Sequence, residues 1–366
     1  MQSCSIHPAW IEIDTFQFRK NLKAIRKMIG SCLLCLPIKA NAYGHGALTM
    51  AKIAEEEKVD CLGVSCVKEG IRLRKAGIAI PIVVFGAIHE DQIVESAIFD
   101  LEISISSRYK AELVAKKYAR LDRKCTVHIE VDTGMQRTGV RPDTLFSLIF
   151  LIKNAGCFEI KGLYSHLATA DCPNDPTALR QIEIFGSLAN ELRGSGVICH
   201  LANSGGVAFY PDSYFDMVRP GLLSYGYAFD EKTEEIRPCL SLKAKVSYFK
   251  VVQKERGISY GHTYLTQDET RIATIPVGYG DGYRRSLSNL GSVLIRGKRF
   301  PIAGAICMDQ FMVDIGKEEA YVGDEAVLIG KQGDEEITLW ELARCSNTIL
   351  HEMLVSFNER LEYFYR

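Results

Sequence analysis

The stretch "PIKANAYGHG" (37–46) follows an apolar run, and Lys39 stands where that run stops. A cation at the end of a buried strand is costly unless it is paired or has a task. Later apolar runs also end in polar residues: Asp132 with nearby Arg137, His166, Asn203 with Ser204, and Arg219. A lysine in a partly dry pocket can lose its proton and form a Schiff base with an aldehyde. "NSGG" (203–206) and "RPG" (219–221) offer hydroxyl and backbone N–H groups at glycine turns, which suit a phosphate. A lysine, a phosphate cradle and an arginine near a ring nitrogen together describe a pyridoxal 5'-phosphate site.

Such residues need a scaffold that brings strand ends to one face. Short apolar or β-branched runs recur along the first two-thirds of the chain: "LLCLPIKA" (33–40), "DCLGVSC" (60–66), "PIVVFG" (81–86), "LEISIS" (101–106), "CTVHIEVD" (125–132), "EIKGLYSH" (159–166), "GVICHLAN" (196–203) and "FDMVRPGLLSYG" (215–226). Between them lie amphipathic stretches of helical length, among them "GALTMAKIAEEEKV" and "DPTALRQIEIFGSLANELRGSG". This βα rhythm predicts an α/β fold, a (β/α)8 TIM-type barrel over 1–236, whose chemistry lies at the C-terminal strand ends. From "EIRPCLSLKAKVSYFKVVQ" onward the runs alternate with period two and the turns are glycine-rich, which predicts a mostly β C-terminal domain over 237–366.

Composition narrows the function classes. The 366 residues carry a net charge of −1, against a nucleic-acid surface, and 47% hydrophobic content, typical of a globular protein. We find neither an apolar run long enough for a membrane span nor a signal-peptide pattern at the start, so a cytoplasmic location is expected. The 12 cysteines are scattered; Cys32 and Cys35 form one C-x-x-C without a second pair at zinc spacing, and they read as buried free thiols. "HEML" from His351 lacks the second histidine of a zinc helix, so no metal is expected.

Eight motifs in order, "KANAYGHG" (39–46), "DTGMQRTG" (132–139), "SHLATAD" (165–171), "NSGG", "RPG", "SYGHTY" (259–264), "IPVGYGDGYRR" (275–285) and "CMDQ" (307–310), make the chain resemble alanine racemase over nearly its whole length. The resemblance implies a pyridoxal-phosphate isomerase that interconverts L- and D-alanine and supplies D-alanine for peptidoglycan. It implies Lys39 as the amine that condenses with the cofactor and as one base, with Tyr260 as the base on the opposite face. Tyr43, Ser204, the backbone at Gly221 and Leu222, nearby Asn203, and His351 would lie at the cofactor and its phosphate. Arg219 would face the pyridine nitrogen, and His166 would support Arg219 and link it to Tyr260. Arg137 and the Met308 backbone would take the substrate carboxylate, Tyr279 would line the entrance, Arg285 would orient Tyr260, and Asp309 of "CMDQ" would support the site. In this family the tyrosine base comes from the neighbouring subunit, which implies a homodimer with shared active sites.

Two positions depart from the family pattern. A lysine that becomes carbamylated commonly stands where this chain has Glu130; a permanent carboxylate there predicts no carbamate and a direct or near contact to Arg137. Near the C-terminus a tyrosine that touches the phosphate and narrows the pocket is replaced in "TILHE" by His351, which leaves serine or a broader set of amino acids open as substrates. A pyridoxal-phosphate decarboxylase of the same architecture is a further reading, for which Cys307 would be the tempting residue. A non-enzymatic pyridoxal-phosphate carrier is another, although it gives the second domain no task.

Overall fold

A computed structural model describes residues 7–121, 123–229 and 235–366. The chain opens with strand β1 (Ala9–Ile13) and continues through β2 (Leu33–Pro37), β3 (Cys61–Val64), β4 (Ile82–Val84), β5 (Glu102–Ile105), β6 (Cys125–Glu130), β7 (Phe158–Tyr164), β8 (Ile198–His200) and β9 (Met217–Val218). Strands β2 to β9 form a closed barrel, and its neighbours pair in parallel, with β2 against β9 closing the ring. Each of the eight apolar runs read from the sequence becomes one of these strands, because an all-parallel barrel buries both faces of its strands and tolerates little polarity in them.

The crossover segments are helices for local reasons. The helix Pro176–Glu191 starts at Asp175, whose Oδ1 accepts from the amides of Thr177 at 2.8 Å and Ala178 at 3.2 Å, with proline in the first turn. It buries Ala178, Gln181 and Phe185, and the phenyl ring alone is worth about 1.5–3 kcal/mol of apolar transfer. The second expected helix forms over Ala47–Glu56 and buries Met50, Ala51, Ile53 and Ala54.

The barrel interior is divided by chemistry. Cys35, Cys61, Val83 and Met217 form an apolar cluster on one side. Ser104, His128, Glu130, Tyr164, His200 and Arg219 are buried polar or aromatic groups joined by hydrogen bonds and ring contacts on the other.

A second unit is mostly β. Its strands are β10 (Leu240–Lys245), β11 (Tyr248–Val252), β12 (Gly257–Ile258), β13 (Tyr264–Leu265), β14 (Thr270–Ile275), β15 (Ser292–Ile295), β16 (Lys298–Pro301), β17 (Phe311–Gly316), β18 (Glu325–Gln332), β19 (Glu335–Ile337) and β20 (Glu362–Tyr365). A seven-stranded sheet runs β16-β15-β18-β10-β1-β20 with β19 on β18; β11-β14-β17 and β12-β13 form smaller sheets. The division differs from the expected 1–236 and 237–366: the described residues up to Phe16 cluster with Cys239–Arg366, and Gln17–Pro238 form the barrel unit. The reason is strand pairing. Strand β1 fills a slot between β10, antiparallel, and β20, parallel, which satisfies its backbone on both sides.

Among the described residues the cysteines are free, as expected, but not all are buried: Cys66 and Cys172 are exposed. Cys32 of the C-x-x-C donates to the carbonyl of Phe215 at 3.4 Å. No helix among the described residues is long and apolar enough to cross a membrane.

Candidate active site

Lys39 lies two residues beyond β2, at the C-terminal end of the barrel, and the chain then makes an unusual turn. Ala40, Asn41, Ala42 and Tyr43 all hold left-handed conformations, with φ of 50, 54, 57 and 51°. Four such residues in a row cost roughly 1–2 kcal/mol each, so the surroundings must hold them. The Asn41 side chain accepts from the Ala47 amide at 2.9 Å, and the Asn41 carbonyl accepts from Gly46 at 2.9 Å. The His45 ring nitrogen Nδ1 lies 3.1 Å from the Ala42 carbonyl and 2.9 Å from that of Tyr43, so it donates to them. Tyr225 stacks on both Tyr43 and His45 and donates its hydroxyl to the Pro37 carbonyl at 2.8 Å. The turn thus fixes Lys39 and Tyr43 at the barrel mouth.

Lys39 is solvent-accessible yet ringed by protein. Desolvation first, then the Arg137 guanidinium, lowers its ammonium below the usual lysine range; Glu69 opposes this and Arg219 adds to it. His166 is pushed down to about 3 by desolvation and by the fields of Arg219, Arg137 and Lys39. Lys39, Arg137 and Arg219 thus bring positive charge to this end beside a neutral His166, and the cluster suits an anionic ligand more than a neutral one.

Arg137 is exposed on a loop that returns on itself. The Asp132 carboxylate accepts from the amides of Gly134 at 2.9 Å and Gln136 at 3.1 Å, and Val140 donates to the Glu130 carbonyl at 2.8 Å. Gly139 has φ of 117°, and a Cβ there would sit 2.6 Å from the Asp132 nitrogen. Of the direct or near contact expected between Glu130 and Arg137, no hydrogen bond or ion pair is seen among the described residues, although the Arg137 charge reaches the Glu130 carboxyl. Glu130 accepts instead from the Thr138 hydroxyl at 2.8 Å. Burial raises its carboxyl above the usual range, with Thr138 and then Arg137 opposing the rise. The loop explains the substitution of partners: its turn brings the Thr138 hydroxyl onto the carboxylate, while Arg137 remains exposed.

Arg219 is buried and strongly held. Its backbone donates to Ala202 at 2.8 Å, Nη2 donates to the carbonyls of Ser165 at 2.7 Å and Leu201 at 3.2 Å, and Nη1 donates to His200 Nδ1 at 2.8 Å. Its guanidinium also lies over the rings of Tyr164 and Phe85. Among the described residues the imidazole hydrogen-bonded to Arg219 is therefore His200, while His166, expected to support Arg219, lies within reach of its charge. His166 belongs to the loop after β7, where its carbonyl accepts from Gln181 Nε2 at 2.8 Å. His200 was missed because it stands inside the apolar run 196–203, whose expected end lay beyond it, although β8 ends at His200; the signal was a histidine within an otherwise apolar run.

The phosphate-type residues converge. Asn203 caps the short helix Ser204–Phe209, accepting from the Gly206 amide at 3.0 Å, and it donates to the Leu167 carbonyl at 3.3 Å. The buried Ser204 hydroxyl accepts from the Leu223 amide at 3.2 Å. Tyr43 packs against Gly221, where a Cβ would sit 2.5 Å from the tyrosine hydroxyl. The Tyr43 hydroxyl thus lies against Gly221, and the Ser204 hydroxyl is bonded two residues further on, at the Leu223 amide.

In the second unit, Tyr260 begins a short 3-10 turn after β12 and is 74% exposed. Ser259 before it has φ of 63° and donates to the Ala305 carbonyl at 2.5 Å. Tyr279 and Met308 are exposed and share a tight loop pair: the Tyr279 amide donates to Cys307 at 3.1 Å and the Gly280 amide to Met308 at 2.8 Å. Arg360 ties this pair together through Asp309 at 2.8 Å and the fully buried Asp281 at 3.1 Å. Arg285 is exposed on the 3-10 turn Arg285–Leu287, and among the described residues no hydrogen bond joins it to Tyr260. His351 is exposed on the helix Leu350–Leu354.

Comparison with known proteins identifies the family. The family model "Alanine racemase, N-terminal domain" matches residues 13–229, and "Alanine racemase, C-terminal domain" matches 239–365. The chain is 39% identical to the alanine racemase of Symbiobacterium thermophilum, over 98% of this chain and 97% of that protein. It is 38% identical to alanine racemase 2 of Bacillus subtilis, over 97% and 94%. Among solved structures, alanine racemase of Clostridium difficile 630 superposes with a TM-score of 0.93 at 33% identity, covering 100% of this chain and 97% of that one. Alanine racemase from the D-cycloserine-producing Streptomyces lavendulae superposes with a TM-score of 0.94 at 32% identity, covering 99% and 98%. Two family models spanning both units, and relatives well above 30% identity along the whole chain, lead to one conclusion: the chain belongs to the alanine racemase family.

Proposed function

We propose that this chain is a pyridoxal-phosphate-dependent racemase that interconverts L- and D-alanine in the cytoplasm and supplies D-alanine for peptidoglycan. One observation carries the reading: Lys39 just beyond β2 and Arg219 just beyond β9 stand at the same end of two paired strands, where the charges of Arg137 and Arg219 both bear on Lys39 and His166. That positively charged end, with the Tyr43 hydroxyl held tightly against Gly221, fits an anionic cofactor and a substrate carboxylate together. When bound, the cofactor supplies an aldehyde for an amine and a conjugated ring that spreads the electron pair left by a departing proton.

The residues divide the work. Lys39 carries the cofactor and moves the Cα proton on one face of the substrate, helped by a lowered ammonium pKa. Tyr260 moves the proton on the other face. Two bases on opposite faces invert the centre without turning the substrate over. Tyr43, Ser204, Asn203 and the amides at Gly221 and Leu222 hold the phosphate, with His351 nearby. Arg137 and the Met308 amide hold the carboxylate, Glu130 shapes the Arg137 loop through Thr138, and Tyr279 narrows the entrance. Asp309 supports the Met308 loop through Arg360, and Arg285 contributes positive charge around Tyr260. Arg219 would face the ring nitrogen; a guanidinium keeps its proton at any working pH, so it would donate to that nitrogen and discourage its protonation. Tyr260 is well exposed on its own unit, and this supports a homodimer in which each copy lends Tyr260 to the other's barrel.

The test has two arms. Borohydride treatment of the holoenzyme followed by peptide mass spectrometry is expected to place the reduced cofactor on Lys39. Incubation with single L-amino acids and chiral chromatography is expected to yield D-alanine first. Cofactor fixed to another residue, or release of CO₂ in place of a D-amino acid, would refute the reading.

A further inference from the structure

Arg219 does not end its hydrogen bonding at His200. His200 Nε2 lies 3.0 Å from His128 Nδ1, and His128 Nε2 lies 2.8 Å from Glu102 Oε2. The line runs through the barrel from the first residue of β5 to the residue just beyond β9, and both imidazoles are almost fully buried. Gly162 on β7 makes it possible: a Cβ there would sit 2.2 Å from His128 Nδ1 and 3.0 Å from His200 Nε2.

The proton positions along this line follow from one fact. A guanidinium has donors and no acceptor. His200 must therefore accept at Nδ1, which leaves its proton on Nε2. That proton points at His128 Nδ1, which must be bare, so the His128 proton sits on Nε2. It is donated in turn to the Glu102 carboxylate. Every bond in the line points the same way, from the cation at the catalytic end to the anion at the far end. Among the described residues no carboxylate touches Arg219 directly, and its other side-chain partners are carbonyl oxygens. At the distal end the field of Arg74 reaches Glu102, while Arg74 itself donates to the carbonyls of Ile78, Ile80, Phe99 and Asp100.

We propose that Glu102 and His128 are positioning residues for the reaction: as the terminal acceptor and the connecting imidazole, they lock the His200 tautomer and so the orientation of the Arg219 guanidinium. The consequence for turnover rests on the racemase reading above; the tautomers do not. If Glu102 stops accepting, His128 is free to move its proton to Nδ1, His200 is then pushed to protonate Nδ1, and Arg219 loses the acceptor for Nη1. An outer partner of this kind typically changes activity about 10- to 100-fold.

Nitrogen-15 spectra of histidine-labelled, cofactor-free chain read the tautomers directly. Neutral rings protonated at Nε2 are expected for both His128 and His200, and the same pattern is expected in Glu102→Gln, which keeps an acceptor oxygen. In Glu102→Leu the rings are expected to show mixed tautomers. In the holoenzyme the same variant is expected to lower kcat about 10- to 100-fold with KM for alanine within about threefold, and Glu102→Gln to restore most of the loss. An Nδ1-protonated His200 in the unmodified chain, or full kcat in Glu102→Leu, would overturn the proposal. Should Glu102→Leu not fold, the spectra of the unmodified chain and of Glu102→Gln decide alone. A protein that shows the expected tautomers and racemises nothing would refute the functional reading and leave the relay standing.

Discussion

The hydroxyl of Tyr43 presses so closely on Gly221 that a Cβ at that glycine would lie 2.5 Å from the oxygen and 2.9 Å from the ring carbon that bears it. The left-handed turn after Lys39 and the loop after Arg219 are therefore interlocked at the one point where neither can carry more volume. Tyr43 is also stacked on Tyr225, so the ring cannot swing aside cheaply.

Gly221→Ala is accordingly expected to displace the Tyr43 hydroxyl and weaken pyridoxal phosphate binding about tenfold or more, measured by absorbance titration of the cofactor-free protein. Pairing it with Tyr43→Phe should cost less than the sum of the single changes, because residues in contact couple by about 0.5–3 kcal/mol. Strict additivity would count against the interlock.

Gly162→Ala puts a methyl group 2.2 Å from His128 Nδ1 in a packed interior. Overpacking of this kind costs about 1–3 kcal/mol. Urea unfolding is expected to show a lowered midpoint with an unchanged slope, and an unchanged midpoint would mean that the two rings can separate freely.

His45 makes stability depend on acid. Burial pushes its pKa down to about 4 from an ordinary 6.5, even though the Tyr43 and Ala42 carbonyls favour the charged ring. Above pH 6.5 neither folded nor unfolded chain holds the proton, so this stability is fully present. Below it the unfolded chain takes up the proton and the folded chain does not, and stability falls by up to about 1.4 kcal/mol per pH unit until pH 4. Denaturant midpoints at pH 7, 6 and 5 should decline, and His45→Asn should make the decline shallower. An identical slope in the variant would remove His45 from the account.

Ala40 is exposed and has φ of 50°. Glycine there would relieve roughly 1–2 kcal/mol of left-handed strain and lose roughly 0.5–1 kcal/mol of chain entropy. Ala40→Gly is expected to leave thermal stability unchanged or slightly raised while kcat falls, because the turn that aims Lys39 becomes looser. A clear loss of stability would show that the turn is not strained at this position.

Much of this molecule can be read from local pattern. The eight apolar runs become eight barrel strands because a buried parallel strand needs a continuous apolar run, which depends on few neighbours. Asp175 before Pro176 announces a helix start for equally local reasons. Lys39, Arg219, Asn203 and Ser204 stand at strand ends that the βα rhythm alone marks out, and the motif order carries the family.

What the chain could not declare by itself is which groups meet across the barrel. His200 rather than His166 bonds to Arg219, Thr138 rather than Arg137 meets the Glu130 carboxylate, and β1 joins the sheet of the second unit. These outcomes depend on which side chains of neighbouring strands point inward at the same height. That register is set by closure of the whole ring: His128 and His200 are 72 residues apart and touch only because β6, β7 and β8 align with Gly162 between them. Local sequence determines what each strand is, and only the closed barrel determines whom its inward residues face.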